Sequence, residues 1–117
     1  MKKYILFLLF VLSSCSQNCK ELPGSYKNHE EAITIVLSTN FKYTNNCDVS
    51  ESSFITSADY YSCDNKEGYL IAGINNKKYI YQNMPYEVWE GFKNAESKGK
   101  FYNHKIRGSY RLSLNNK

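Results

Sequence analysis

The chain has 117 residues, of which 42% are hydrophobic and 22% charged, and its formal net charge is +4 at pH 7. Removal of the first 14 residues, which carry two lysines and no acid, would leave 103 residues with a charge of +2. That length allows one small domain with a thin core and excludes a second domain, and the nearly balanced charge gives no argument for nucleic acid.

The N-terminus is typical of an export signal. Lys2 and Lys3 precede an apolar run over residues 4–12, which is too short to cross a bilayer in a mature protein. The sequence Leu12-Ser13-Ser14-Cys15 resembles the bacterial lipoprotein box, in which cleavage frees the cysteine and its thiol is acylated. We therefore expect a signal peptide at 1–14, a membrane anchor of palmitate-like chains on Cys15, and a mature protein in the cell envelope, facing the periplasm or the cell surface. The alternative is an ordinary secretory signal in which Cys15 is a structural cysteine.

A tether and a helix are predicted next. Residues 15–27 are polar, include Pro23-Gly24, and are expected to hold a single α+β domain at 28–117 away from the membrane. Asn28 followed by Glu31 forms a capping box, and apolar residues then recur on one face, which predicts a helix over 29–38.

Strands are predicted in the middle of the chain, at residues 41–44, 52–63, 69–74 and 78–82, with turns at 45–48, 64–68 and 75–76. In the last strand Tyr79 and Tyr81 share one face and Ile80 lies on the other. Both faces of the central strands carry apolar residues, which indicates a sheet covered on both sides.

A second helix is predicted after the strands. Pro85 suits its first turn, a stripe of apolar residues follows between Val88 and Ala95, and Gly99 is expected to end it in a left-handed cap. Residues 101–110 then suggest a last helical turn and a closing strand. The predicted fold class is α+β: a small antiparallel sheet of three to four strands, packed by a C-terminal helix after Pro85 and by an N-terminal helix.

Three cysteines remain once Cys15 is acylated. Cys19, Cys47 and Cys63 allow one disulfide in an oxidising compartment, with three possible pairings. We favour Cys19 with Cys47, because these bracket the first predicted helix, which leaves Cys63 buried in a strand. No metal site or other cofactor is predicted, since closely spaced cysteine pairs are lacking and His29 and His104 lie near no cysteine.

Short motifs spread over residues 52–112 support a family resemblance. They are Ser53-Phe54-Ile55, Tyr79-Ile80-Tyr81, Met84-Pro85, Val88-Trp89, residues 95–103, Ile106-Arg107 and Tyr110. In order and spacing they resemble the KTSC domain, a module named for its occurrence at the C-terminus of some lysyl-tRNA synthetases. The resemblance implies a small α+β module for which RNA binding has been suggested, and it brings no catalytic residues.

Candidate binding residues lie in the same stretch: Tyr79, Tyr81, Lys98, Asn103, Lys105 and Arg107. The two tyrosines could stack bases while the cations hold phosphates, but burial of both rings in the core is the favoured interpretation. From residue 97 to the end the chain carries six lysines and arginines and no acid, which suits either an anion-binding patch or a solvated basic face. Ser97-Lys98-Gly99 and Asn103 could form an anion nest, although helix ending explains them as well, with Arg107 a partner for the helix carbonyls.

The sequence thus predicts a lipid-anchored envelope protein that acts as a non-catalytic binding module for a protein partner of unknown identity. RNA binding is the alternative, which the compartment opposes. No enzymatic activity is expected, because no nucleophile motif or carboxylate pair is recognisable.

Overall fold

The computed structural model describes residues 17–115, so the predicted signal peptide at 1–14 and the predicted acylation site at Cys15 lie outside the described residues. Six strands and three α-helices follow the chain order, together with a 3-10 turn at Cys19–Glu21 and a π-helical turn at Tyr102–Ile106. The strands are β1 Gln17–Asn18, β2 Thr39–Asn40, β3 Tyr43–Asn46, β4 Ile55–Ser62, β5 Glu67–Ile74 and β6 Lys77–Pro85. The helices are α1 His29–Leu37, α2 Tyr86–Lys93 and α3 Lys98–Phe101. No helix among residues 17–115 is both long and apolar enough to span a bilayer.

The main sheet is antiparallel and has the order β3-β4-β5-β6. Its turns follow from the residues between the strands. Asn75 and Asn76 both have positive φ, at 50° and 70°, which suits the two-residue turn between β5 and β6. In the β4–β5 turn the Asp64 carboxylate accepts the backbone N–H groups of Lys66 and Glu67 at 2.9 and 3.2 Å. The predicted α+β fold with a small antiparallel sheet is confirmed.

The sheet is covered on both faces. One face contributes Ala58, Tyr60, Leu70 and Ala72 to a core cluster with Met84, Trp89, Phe92, Tyr102 and Ile106. The other face contributes Tyr69, Ile71 and Ile80 to a second cluster with Tyr26, Ala32, Val36 and Leu112. Strand alternation sends neighbours such as Leu70 and Ile71 into different clusters. The α1 helix therefore packs on the face opposite to α2, as the two-sided pattern predicted.

The N-terminal segment differs from the expected tether. From Gln17 onward it is held against the domain: β1 pairs in parallel with β2, and Leu22 packs against the second cluster. Tyr26 is 1% exposed, and its hydroxyl is hydrogen-bonded to the Tyr69 hydroxyl at 2.7 Å. The polar composition of the N-terminal segment does not indicate these contacts. A single buried tyrosine is enough to hold such a short segment against the domain.

The expected disulfide pairing is wrong. The structure joins Cys19 to Cys63, with Cα atoms 5.8 Å apart, and leaves Cys47 as a free, half-buried thiol. Cys63 directly follows β4, where the 3-10 turn at Cys19–Glu21 reaches it. Proximity across α1 in the sequence misled the prediction, because the tertiary path of the N-terminal segment and not loop length decides which thiols meet.

The C-terminal third also differs from expectation. The α2 helix ends at Lys93, with Pro85 as its N-cap residue and not within its first turn. A separate helix, α3, begins after Ser97, whose Oγ accepts the Lys100 N–H at 3.2 Å. Gly99 lies inside α3 and not at a left-handed cap; the glycine with positive φ is Gly108, at 82°.

Residues 107–115 form no closing strand in the main sheet and instead line its β6 edge. The Gln82 N–H donates to the carbonyl of Tyr110 at 2.9 Å, and its side-chain oxygen accepts the Ser113 N–H at 2.9 Å. Its side-chain amide donates to the carbonyl of Gly24 at 3.2 Å. Gln82 is 6% exposed, so one buried side chain ties β6 to both terminal segments.

Removal of the disulfide is expected to destabilise the domain. The bond links residues separated by 44 positions, a loop for which loss of the cross-link costs about 4 kcal/mol. The double variant Cys19→Ser/Cys63→Ser should unfold at much lower urea concentration than the wild type. Cys47→Ser is the matched control and should change the midpoint little; a linked peptide joining Cys19 to Cys47 by mass spectrometry would contradict the pairing.

Alkaline pH is expected to weaken the fold through Tyr60. Burial, with nearby carboxylates, raises the pKa of Tyr60 from 10.0 to about 12. As pH rises, the Tyr60 hydroxyl therefore loses its proton in the unfolded chain before it does so in the folded protein. The contribution of Tyr60 to the free energy of unfolding is complete below pH 10 and is lost as pH rises toward 12. Tyr60→Phe cannot ionise. The stability gap between wild type and Tyr60→Phe should narrow over this range in urea titrations, and a gap independent of pH would contradict the assignment.

Candidate functional site

A groove of about 530 Å³ opens at the end of the sheet where β4 begins. We call it the tyrosine groove; it is lined by Phe54, Ile74, Asn75, Tyr79, Tyr81, Tyr102, Asn103 and Arg107. Strand β6 supplies two tyrosines from one face, and the π-helical turn supplies the third with Asn103. The groove thus brings together four of the six predicted binding residues: Tyr79, Tyr81, Asn103 and Arg107.

The two β6 tyrosines differ in how far their rings are buried. Tyr81 is half-buried and packs against the core cluster, with its ring edge-on to Tyr102 at a centroid distance of 6.1 Å. The hydroxyls of Tyr81 and Tyr102 are hydrogen-bonded to each other. Tyr79 is 39% exposed, although it shares the face of Tyr81. Burial of both rings was therefore half right, and the groove presents one free aromatic ring beside one fixed ring.

The hydroxyl of Tyr81 is harder to ionise than that of an exposed tyrosine. Burial raises the pKa of Tyr81 well above its usual range, the hydrogen bond with Tyr102 raises it further, and the nearby Arg107 guanidinium opposes the rise. Arg107 is exposed, and its Nη1 donates to Asn103 Oδ1 at 3.4 Å. Its side chain therefore points an accessible positive charge at the groove rim; the expected contact with helix carbonyls is not the one that the structure shows.

A polar cavity of about 610 Å³ adjoins the groove and shares Phe54 and Asn103 with it. Residues 48–54 and 96–100 line it, and they bring Asp48, Glu51 and Glu96 close to Lys98 and Lys100. The predicted anion nest falls here. Its lining has mixed charge, and the Ser97 hydroxyl already caps α3, so the cavity has no evident preference for anions.

Lys98 and Lys105 lie apart from the tyrosine groove. Lys98 is half-buried in the polar cavity and donates from Nζ to the carbonyl of Ala95 at 3.4 Å. Lys105 is exposed on the π-helical turn and lines neither cavity. The basic stretch is therefore divided over several surfaces, and of its five cations within residues 17–115 only Arg107 lines the groove.

The remaining chemistry-bearing side chains are dispersed. Burial raises the pKa of Cys47, while Lys98 and Lys93 lower it. His29 and His104 are both exposed on helical segments. Within residues 17–115, no three side chains of His, Cys, Asp or Glu come together in a way that could hold a metal ion.

Four groove residues were not predicted as site residues, namely Ile74, Asn75 and the two aromatic residues Phe54 and Tyr102. Phe54 precedes β4 and its ring lies edge-on to Tyr102 at 6.3 Å. A Cβ atom on Gly99 would lie only 2.8 Å from Phe54 Cε1, so this glycine is needed for close approach of the ring. The sequence around Phe54 and around Tyr102 does not indicate a binding site, because both residues look like ordinary core aromatic residues.

The hydrogen bond between Tyr81 and Tyr102 should give a measurable coupling energy between the two residues. Tyr102→Phe removes the partner of the Tyr81 hydroxyl and should cost about 1 kcal/mol of stability. It should also lower the pKa of Tyr81, because the neutral hydroxyl loses its bond. A double-mutant cycle with Tyr81→Phe, read by urea unfolding, isolates the pair; strictly additive losses would contradict the coupling.

The KTSC domain model matches residues 51–110 of the chain. No curated protein and no solved structure matches it. The matched segment begins just before β4 and ends beyond the π-helical turn, so it contains the whole tyrosine groove. The α1 helix and Cys19 lie outside the match, and they supply the cover of the second face and one half of the disulfide.

Proposed function

The chain belongs to the KTSC domain family, and we propose that it is a non-catalytic binding module. In this proposal acyl chains on Cys15 hold it on the outside of the cell, and the tyrosine groove binds an envelope protein. The exposed ring of Tyr79 beside the Arg107 guanidinium is the observation that carries this proposal. Tyrosine and arginine are the residue types most often found at binding hot spots. The polar groups of the groove are hydroxyls, amides and a guanidinium, which suit recognition.

The chemistry of the groove favours a partner segment with two features. An apolar or aromatic side chain would cover the Tyr79 ring and fill the space between Phe54 and Tyr81. A carboxylate next to it would accept the free N–H donors of Arg107 in a bidentate pair. The pair of hydroxyls on Tyr81 and Tyr102 forms a fixed floor, so little side-chain entropy is lost there on binding.

Capture of envelope proteins by groove variants tests the proposal. The immobilised wild-type chain should retain a detergent-solubilised envelope protein that Tyr79→Ala loses, since hot-spot truncation costs at least about 2 kcal/mol, about thirtyfold in Kd. Tyr43→Ala is the matched control, because Tyr43 is 37% exposed against 39% for Tyr79 but lies at the other end of the sheet. Equal retention by Tyr79→Ala and Tyr43→Ala would exclude the groove.

A second pair of variants tests the role of charge. Arg107→Ala should weaken the same capture, whereas Lys105→Ala removes an equal charge from the same turn outside the groove and should not. Single-stranded RNA is the competing ligand, because an exposed tyrosine beside an arginine also suits a base and its phosphate. A steep fall of RNA affinity with salt, abolished by Arg107→Ala, would favour RNA and contradict a protein partner.

A further inference from the structure

We propose that the end of the domain that carries the Cys19–Cys63 disulfide lies directly against the membrane, so that the tyrosine groove faces away from the bilayer. This inference rests on the proposed acylation of Cys15. It goes beyond that anchor because it assigns a lipid-facing surface and an orientation. We call this surface the mounting corner; it comprises the disulfide and the exposed residues Lys20, Leu37, Lys42 and Tyr43.

Very little free chain separates Cys15 from the folded domain. Gln17 and Asn18 are paired with Thr39 and Asn40, and Cys19 is cross-linked to Cys63. An extended chain spans at most about 3.6 Å per residue, so the Cα of Cys15 lies within about 7 Å of Gln17 and about 14 Å of Cys19. A cysteine anchored at the bilayer surface thus leaves the domain almost no freedom to stand away from it.

Apolar side chains are exposed around this attachment point. Leu37, the last residue of α1, is 57% exposed and lies two positions before Thr39, the partner of Gln17. Tyr43 is 37% exposed and pairs with Ser62, which precedes Cys63. Of the three exposed large hydrophobic residues that the structure describes, these two lie at the mounting corner, and the third is Tyr79 in the groove.

Residue chemistry at the mounting corner suits a membrane interface. The Lys42 ammonium lies 5.8 Å from the centroid of the Tyr43 ring, and Lys20 is exposed beside Cys19. Tyrosine and lysine combine an apolar body with a polar tip, which places them at the level of lipid headgroups. Asp64 lies at the same end, so net attraction to anionic lipid is not the basis of the inference; chain length and apolar contact are.

The length of β4 separates the tyrosine groove from the mounting corner. Ser62, beside Tyr43, and Ile55, beside Phe54, are the two ends of β4. At about 3.3 Å per residue the seven steps between them cover roughly 23 Å. The groove therefore lies at the opposite end of the sheet from the mounting corner, where a partner in the aqueous phase can reach it.

Lipid cross-linking of the unaltered chain tests the orientation. The full chain is produced with its signal, its mature mass is measured, and it is reconstituted in vesicles of phosphatidylethanolamine and phosphatidylglycerol that contain a phospholipid with a headgroup diazirine. Cross-linked peptides should come from residues 37–43. Cross-links concentrated at residues 77–81, or equal at both ends, would overturn the inference.

Lysine labelling against a loosened reference provides a second readout. The reference carries a flexible Gly-Ser insertion of about ten residues between Ser16 and Gln17, together with Leu37→Ser. In the wild type on vesicles, Lys20 and Lys42 should react with an amine reagent severalfold more slowly than in the reference, while Lys77 and Lys78 react equally. Equal rates at Lys20 and Lys42 in the two proteins would also overturn the orientation.

The mass of the mature chain separates the two proposals. A Cys15 without acyl mass would overturn the anchored function, and the mounted orientation with it. An acylated chain whose two ends show the same labelling and cross-linking would overturn the orientation alone and leave the anchor intact. An acylated chain with the expected pattern supports the anchor and the orientation.

Discussion

Burial of β5 on both of its faces is the constraint on which the rest of the structure depends. Leu70, Ile71 and Ala72 are consecutive and at most 2% exposed, so two separate layers must cover this strand. Helix α2 and the turns after it cover one face, and α1 with Tyr26 covers the other. A chain of this size has few apolar side chains to spare, which explains why both terminal segments are drawn onto the sheet.

The KTSC segment at 51–110 supplies the sheet strands from β4 to β6 and only one of these two layers. The second layer comes from residues outside it: the N-terminal residues up to α1 and, on the C-terminal side, Leu112. Three different interactions hold the N-terminal residues in place: the disulfide, the Tyr26–Tyr69 hydroxyl pair and the hydrogen bond from Gln82 to Gly24. Each acts at a different point along the segment. The segment predicted as a tether is therefore, from Gln17 onward, part of the fold.

The tyrosine groove has a related origin. The Tyr81–Tyr102 hydroxyl pair joins β6 to the π-helical turn, and the absence of a side chain on Gly99 admits the Phe54 ring beside them. These contacts fix the floor of the groove and leave Tyr79 and Arg107 at its rim. Fixed aromatic groups with an exposed charged rim are suited to binding, because the entropic cost of ordering side chains is confined to the rim.

Elements whose cause is local could be predicted from the amino-acid sequence. The capping box at Asn28 and Glu31, the Asn75-Asn76 turn and the two-sided apolar pattern of β5 act between near neighbours, so helix α1, the hairpin and the layered α+β class could be predicted. Likewise, alternation along β6 placed Tyr79 and Tyr81 on one face.

Relations between residues far apart in the chain could be read only from the folded structure. The partner of Cys19, the end of α2 at Lys93, the burial of Tyr26 and the different exposure of Tyr79 and Tyr81 depend on where segments far apart in the chain meet. A polar stretch with one buried ring looks like a linker, and a glycine needed for Phe54 looks like a helix cap. A linker and a packed segment can share the same local sequence, and so can a helix-cap glycine and a glycine that admits a ring. Only packing against residues far away in the chain distinguishes the two members of each pair.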